Sequence, residues 1–193
     1  SFLNHSFRLI VSLCYCCGLR KSEAVSLKIK DIDFQTGKIN ILNSKRDVSR
    51  IIVVSSSLLK IMEKYYNDYC TGYGQDDWFI QNSKGGAYCK ATLYKLYHEL
   101  LEKAGIPERS DGRIHRLHDM RHAFCVHTLE QMQAKGFDLY TSLPLLSVYL
   151  GHKHITETEY YLRLVDECHS SMLDQYARYC PSVFPEEVDD NEN

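Results

Sequence analysis

The amino-acid sequence predicts an α+β domain, mainly α-helical, with a small three-stranded antiparallel sheet near its N-terminus. Apolar residues recur at helical spacing through most of the chain. Three short β-rich runs, Asp31 to Phe34, Lys38 to Leu42 and Arg50 to Val54, follow one another, separated by a turn at Thr36-Gly37 and by Asn43 to Ser49. A length of 193 residues, 44% hydrophobic and 25% charged, supplies one substantial core and is short for two.

The first helix is carried by Leu3, Phe7, Ile10, Val11 and Cys14, and Gly18 suits the left-handed position after its end. Ser22 is the expected cap of a second helix, with Ala24, Val25 and Leu27 on its apolar side, so Arg20 is held between two helices. The sheet follows, with Lys45 and Arg46 in its second turn, an exposed place to mount a mobile cation. Leu58, Leu59, Met62, Tyr65, Tyr66 and Tyr69 then make an amphipathic helix, and Thr71 to Asp77 a Gly-rich loop. Trp78 to Ile80 is extended and Ser83 to Gly86 a turn. Another helix runs from about Lys90 to Ala104, closed by Gly105 and Pro107. After a basic loop holding Arg109, Arg113, His115 and Arg116 comes the helix of Arg121, Phe124, Leu129 and Met132, ending at Gly136. Ser142 and Pro144 are expected to start a short helix that reaches Leu150. Thr156 and Glu159 form a T-x-x-E capping box for a helix bearing Tyr160 and Tyr161, and a last helix covers roughly Asp166 to Tyr179.

The formal net charge of −2 argues against a protein that coats nucleic acid without specificity, although a local basic face fits inside a neutral total. An acidic, disordered tail is expected over residues 185–193, and without it the domain, residues 1–184, is net positive. The eight cysteines (14, 16, 17, 70, 89, 125, 168 and 180) contain no C-x-x-C and read as reduced core thiols. No signal-peptide h-region and no run of about 18 apolar residues is present, so a cytoplasmic location with no membrane contact is the expectation.

The polar residues from His118 to Tyr161 sit at spacings that packing does not require. His118 and Arg121 share one helical turn, Gly151 leaves His152 at a turn, and two tyrosines follow. Each feature alone has a plainer reading. Arg20 suits the carbonyls of a helix C-terminus, Lys45 is a solvated hairpin lysine, and Tyr160 and Tyr161 are packing residues among 14 tyrosines. His118-Asp119-Met120-Arg121-His122 also has the outline of a zinc-protease H-E-x-x-H helix. Asp119 is too short to serve as the glutamate base there, and no downstream ligand pattern completes a metal site.

Taken together, Gly18-Leu19-Arg20-Lys21-Ser22-Glu23, the hairpin Lys45, His118-x-x-Arg121-His122, Leu150-Gly151-His152 and Tyr161 resemble the ordered signature of the tyrosine recombinase (phage integrase) catalytic domain. The resemblance spans about Val11 to Val165. It implies that fold, duplex DNA at specific recombination sites as partner, a homo-tetramer on that DNA, no cofactor and no metal. The nucleophile it selects is Tyr161, nine positions after His152. The segment from Arg121 to Gly151 is longer than is usual, with Gln131 to Thr141 as the added part, and the hairpin lacks the common Gly-Lys-Gly sequence, which leaves Lys45 and Arg46 both eligible. The N-terminal DNA-binding domain of such enzymes is not expected in this chain.

The chemistry agrees with the resemblance. A phosphodiester under attack gathers charge on its non-bridging oxygens, which Arg20 and Arg121 suit. A phenol with an ordinary pKa near 10 needs an acceptor for its proton, here His118. Lys45 is the candidate general acid for the leaving 5′ oxygen, and His152 a further hydrogen-bond donor to the phosphate. Arg46, Arg109, Arg113, Arg116 and His122 are candidates to hold the DNA backbone. The resemblance implies cleavage through a 3′-phosphotyrosyl bond, and the fixed positive charge makes a metal unnecessary. A type IB topoisomerase and a catalytically silent DNA-binding module are the alternatives, and the DNA site and the direction of recombination are not legible.

Overall fold

A computed structural model describes residues 2–42, 49–109 and 111–162. Lys45 and Arg46, Cys168 and Cys180, the helix expected over Asp166 to Tyr179 and the acidic tail lie outside the described residues.

The expected fold class is the one observed: helices surround one three-stranded antiparallel sheet of order β1-β2-β3. Helix α1 (Phe2–Cys16) is followed by a short α2 (Lys21–Val25), a single 3-10 turn, and strands β1 (Ile32–Asp33), β2 (Lys38–Ile41) and β3 (Arg50–Val53). Ile39 pairs with Ile32 on one side and Ile52 on the other, and Ile41 pairs with Arg50. The isoleucines Ile32, Ile39, Ile41 and Ile52 are all buried, so one face of the sheet is apolar, and Arg50 stands on that same face.

Helices α3 (Ser56–Tyr69) and α4 (Lys90–Lys103) complete the main core, α3 capped by the Ser55 hydroxyl, which accepts from the Leu58 amide at 3.3 Å. Then come α5 (Asp119–Ala134), α6 (Leu139–Leu150) and a helix α7 that occupies residues 156–162 at the end of the described chain. Helix α1 packs against α2, α3 and α5, and α5 against α6. A smaller cluster of Cys125, Leu129, Leu143, Leu146, Leu150 and Tyr161 fills the space between α5, α6 and α7. Tyr149 touches both cores and stacks on Phe124, with ring centroids 5.7 Å apart.

Three helix starts differ from expectation. Arg20, not Ser22, is the N-cap of α2, because the Glu23 carboxylate accepts the Arg20 amide at 2.9 Å and draws the start back to Lys21. Helix α6 begins at Leu139, where the Asp138 carboxylate accepts from the Tyr140 and Thr141 amides, and Pro144 lies inside it. Thr156 is already helical in α7, the Ile155 carbonyl accepting from the Thr158 and Glu159 amides. The cysteines also divide: Cys14, Cys17, Cys70 and Cys125 are buried free thiols, whereas Cys16 and Cys89 are exposed.

Candidate active site

The site is built on the C-terminal end of α6. Gly151 ends that helix in the left-handed region at φ 65°, and the His152 amide returns to the Ser147 carbonyl at 3.1 Å. The last carbonyls of a helix carry no intrahelical partner and the negative end of the helix dipole. Three successive ones are taken by three guanidiniums. Arg50 Nε donates to the Tyr149 carbonyl at 2.7 Å, Arg121 Nη2 to Leu150 at 2.7 Å and Arg20 Nη2 to Gly151 at 3.2 Å.

One carboxylate holds the same three cations. Glu23 accepts both Nη atoms of Arg50, at 3.0 and 2.9 Å, and Nη1 of Arg20 at 3.1 Å, and lies 3.9 Å from Arg121. Burial pushes the Glu23 carboxyl up, but the hydrogen bonds and charge of Arg50, with the Arg20 amide and Arg121, outweigh it and hold the group below its ordinary value. Without that anion, three clustered guanidiniums would repel one another.

The two arginines of the expected catalytic set occupy different depths. The Arg121 side chain is 1% exposed and that of Arg20 23%. Arg121 also donates to the Gly18 carbonyl at 2.7 Å, joining the end of α1 to the end of α6. Its pKa is pulled down to about 10 by burial and by Arg20, against the pull of Glu23, so it remains cationic at neutral pH. Gly18 permits this approach: at φ 61°, a Cβ there would lie 2.5 Å from the Phe124 ring.

The imidazoles are neutral. His118, at the N-cap of α5, is pushed down to about 4 by burial and by the neighbouring His122, Arg121 and Arg116. His152 is likewise pushed to about 4 by burial and by Arg121, and its Nδ1 lies 2.8 Å from the buried Thr158 hydroxyl. The His118 and His122 rings meet edge to face, centroids 4.8 Å apart.

Tyr161 and Tyr160 differ in burial, although their rings meet edge to face with centroids 5.7 Å apart. Tyr160 is exposed, while Tyr161 is 3% exposed and its hydroxyl lies 2.7 Å from Nδ1 of His122. Burial raises the phenol pKa above its usual value, and the neutral Cys125 thiol beside it adds to the rise. A basic cleft of about 390 Å³ opens next to this pair, lined by Arg109, Arg113, Arg116, His122, Asp119 and Tyr160. The guanidinium-to-carboxylate contacts there are solvent-exposed on the arginine side and pair with Asp111 and Asp119. Among the described residues, no three of His, Cys, Asp or Glu converge as a metal-ligand set. No described helix is long and apolar enough to cross a membrane.

The structure thus brings together Arg20, Arg121 and the Gly151-His152 turn, and next to them His118, His122 and Tyr161, from four sequence segments. Sequence reasoning missed Glu23 and Arg50 as members of the cluster. The Phage integrase family model matches residues 3–167. The chain belongs to the phage integrase family. It is 30% identical over 148 residues to a putative integrase/recombinase of Sinorhizobium fredii, covering 75% of this chain and 47% of that protein. It is also 30% identical over 162 residues to the tyrosine recombinase XerA of Pyrococcus furiosus, covering 81% and 50%. This phage integrase family chain therefore spans about half the length of these relatives. Among solved structures, XerA recombinase superposes with a TM-score of 0.69 over 93% of this chain and 60% of that one at 24% identity. XerH recombinase bound to a palindromic difH substrate does so with 0.69 over 90% and 46% at 23% identity. The fold is that of a tyrosine recombinase catalytic domain.

Proposed function

We propose that this chain is the DNA-breaking and DNA-rejoining part of a site-specific recombinase or integrase, acting on duplex DNA without a metal or cofactor. The observation that carries the reading is the convergence of Arg20, Arg121, His152, His118 and Tyr161, separated by up to 141 positions, around one helix end. Tyr161 attacks a backbone phosphate, forms a 3′-phosphotyrosyl bond and releases a 5′-hydroxyl, and another strand's 5′-hydroxyl reverses the step. The energy of the broken bond stays in the phosphotyrosine, so no nucleotide cofactor is required. Arg20, the more exposed guanidinium, contacts the non-bridging oxygens directly, while Arg121 supplies fixed positive charge from beneath. His152 donates to the phosphate, and Lys45 protonates the leaving 5′ oxygen, Arg46 being its alternate in the same hairpin. Arg109, Arg113 and Arg116 hold the adjacent backbone through exchangeable surface pairs. Strand exchange between two duplexes needs four such sites, hence a homo-tetramer on DNA.

A pool of randomised duplexes, each nicked so that a short strand is lost after cleavage, tests this. In EDTA, wild-type protein should become linked to DNA 3′ ends through Tyr161, and sequencing the captured duplexes gives the site. Tyr161→Phe abolishes the adduct and Tyr160→Phe retains it. Adducts that survive Tyr161→Phe, or that require a divalent metal, would refute the reading.

A further inference from the structure

We infer that Arg50 is a positioning residue for strand cleavage: by occupying both carboxylate oxygens of Glu23, it keeps the Arg20 guanidinium free to bind the scissile phosphate. The inference rests on the reading of Arg20 as a phosphate contact and adds the residue that keeps it available.

The three guanidiniums meet Glu23 on unequal terms. Arg50 gives one Nη to each carboxylate oxygen, at 3.0 and 2.9 Å, which is the two-pronged geometry that best matches a guanidinium to a carboxylate. Its Nε is engaged by the Tyr149 carbonyl at 2.7 Å, and its side chain is only 7% exposed, out of a phosphate's reach. Arg121 has both Nη atoms on the Gly18 and Leu150 carbonyls and stands 3.9 Å from the carboxylate. Arg20 meets Glu23 through Nη1 alone at 3.1 Å, and the Gly151 carbonyl through Nη2 at 3.2 Å. Among the described residues, these contacts leave most of the Arg20 donor fork unengaged, on a side chain that is 23% exposed.

The arrangement is a competition for one anion. Burial works against the Glu23 carboxylate, and the largest opposing influence is the Arg50 hydrogen-bonded pair, ahead of the Arg20 amide and Arg121. A buried carboxylate without a partner is costly, so loss of Arg50 obliges Glu23 to take another cation. Arg121 is committed to its carbonyls, which leaves Arg20. Arg20 is the N-cap of α2 and Glu23 is its N3 residue, one helical turn away, so the capture needs no movement of the backbone. A guanidinium gripped by both carboxylate oxygens has its charge compensated and its fork filled, and it no longer binds a phosphate in the same way.

The test measures adduct formation at saturating concentrations of the nicked duplex that the capture experiment identifies, at a temperature where circular dichroism shows each protein folded. For Arg50→Met, the rate should fall on the order of 10²-fold while DNA affinity stays within about threefold of wild type. Adding Glu23→Gln should restore the rate by about tenfold or more, because no carboxylate remains to capture Arg20. A second duplex carries a methyl group in place of one non-bridging oxygen at the cleaved phosphate. That group is uncharged and depends less on Arg20, so on it the Arg50→Met deficit should shrink to about threefold or less. An equal deficit on both duplexes, or a double variant no faster than Arg50→Met, overturns the inference and leaves Arg50 a role in folding alone. If Arg50→Met does not fold, the charge-balanced double variant is compared with Glu23→Gln. Rates within about threefold of each other are expected, and a double variant slower by about tenfold or more overturns the inference, since Arg50 would then act other than through Glu23. If wild type forms no adduct, or Tyr161→Phe forms it equally well, the nucleophile reading falls first and this inference with it.

Discussion

Arg20 and Arg121 carry the same charge at different depths, and the difference separates two kinds of variant. Arg121→Gln strips the Gly18 and Leu150 carbonyls of charged donors and leaves Glu23 with less compensation, at a cost of about 3–5 kcal/mol, as for other broken buried ion networks. Arg20→Gln removes a partly exposed contact worth about 1 kcal/mol or less, yet should slow adduct formation by about 10²–10³-fold. Urea unfolding and adduct kinetics on both proteins check this, and equal destabilisation would contradict the assigned depths. At this scale the sequence was informative about residue types. Leu150-Gly151-His152 and the two tyrosines marked the region, but which tyrosine faces inward depends on the turn where α7 starts. Which ring the phenol meets was not legible for a related reason, since His118 and His122 are both on α5 and only the packing of α7 sets the contact with His122.

The end of α6 is the element on which the rest depends. A methyl group at Gly151 would lie 2.9 Å from Nη1 of Arg50, in a backbone region unfavourable for any residue with a Cβ. Gly151→Ala should therefore cost about 2 kcal/mol from backbone strain together with displacement of the guanidinium. In the double variant with Arg50→Met the effects should be non-additive by at least 0.5 kcal/mol, because the clash disappears with the arginine. A double-mutant cycle from thermal or urea unfolding measures the coupling, and simple additivity would argue against the contact. Elements with regular periodicity, the three strands together with α3, α4 and α5, were legible to within a few residues. Helix α6 was not, because Pro144 was taken as a helix start while Asp138 caps a full turn earlier. Arg50 left a signal that went unused. In a strand alternating in and out, it shares the inward face with Ile52, and an inward arginine requires a buried carboxylate somewhere in the fold.

For the whole molecule, the histidines set the response to acid. The folded pKa values of His118 and His152 lie near 4 against an unfolded 6.5, so between these limits the unfolded chain binds more protons. Stability is then complete above about pH 6.5 and declines as pH falls towards 4. Glu23 acts in the same direction lower down: its folded pKa is depressed, so its contribution is present above the unfolded value of 4.5 and is lost as pH falls through the folded one. Melting temperature measured from pH 8 to 4 should fall first through the histidine window and then more steeply near the carboxylate. His152→Asn should flatten the first part only. A melting temperature independent of pH between 6.5 and 4 would mean that the imidazoles are not held neutral.

The ring of arginines about Glu23 also dictates when the protein becomes what it is. Its closing contacts join positions 27, 103 and 131 apart in sequence, so during synthesis the cations leave the ribosome one after another, each alone in water. Only once residue 151 has emerged can the helix end that gathers them exist. The nascent chain passes through most of its length as a set of scattered charges, and the arginine cluster comes into being late, as a property of the closed fold that no shorter stretch of the polypeptide possesses.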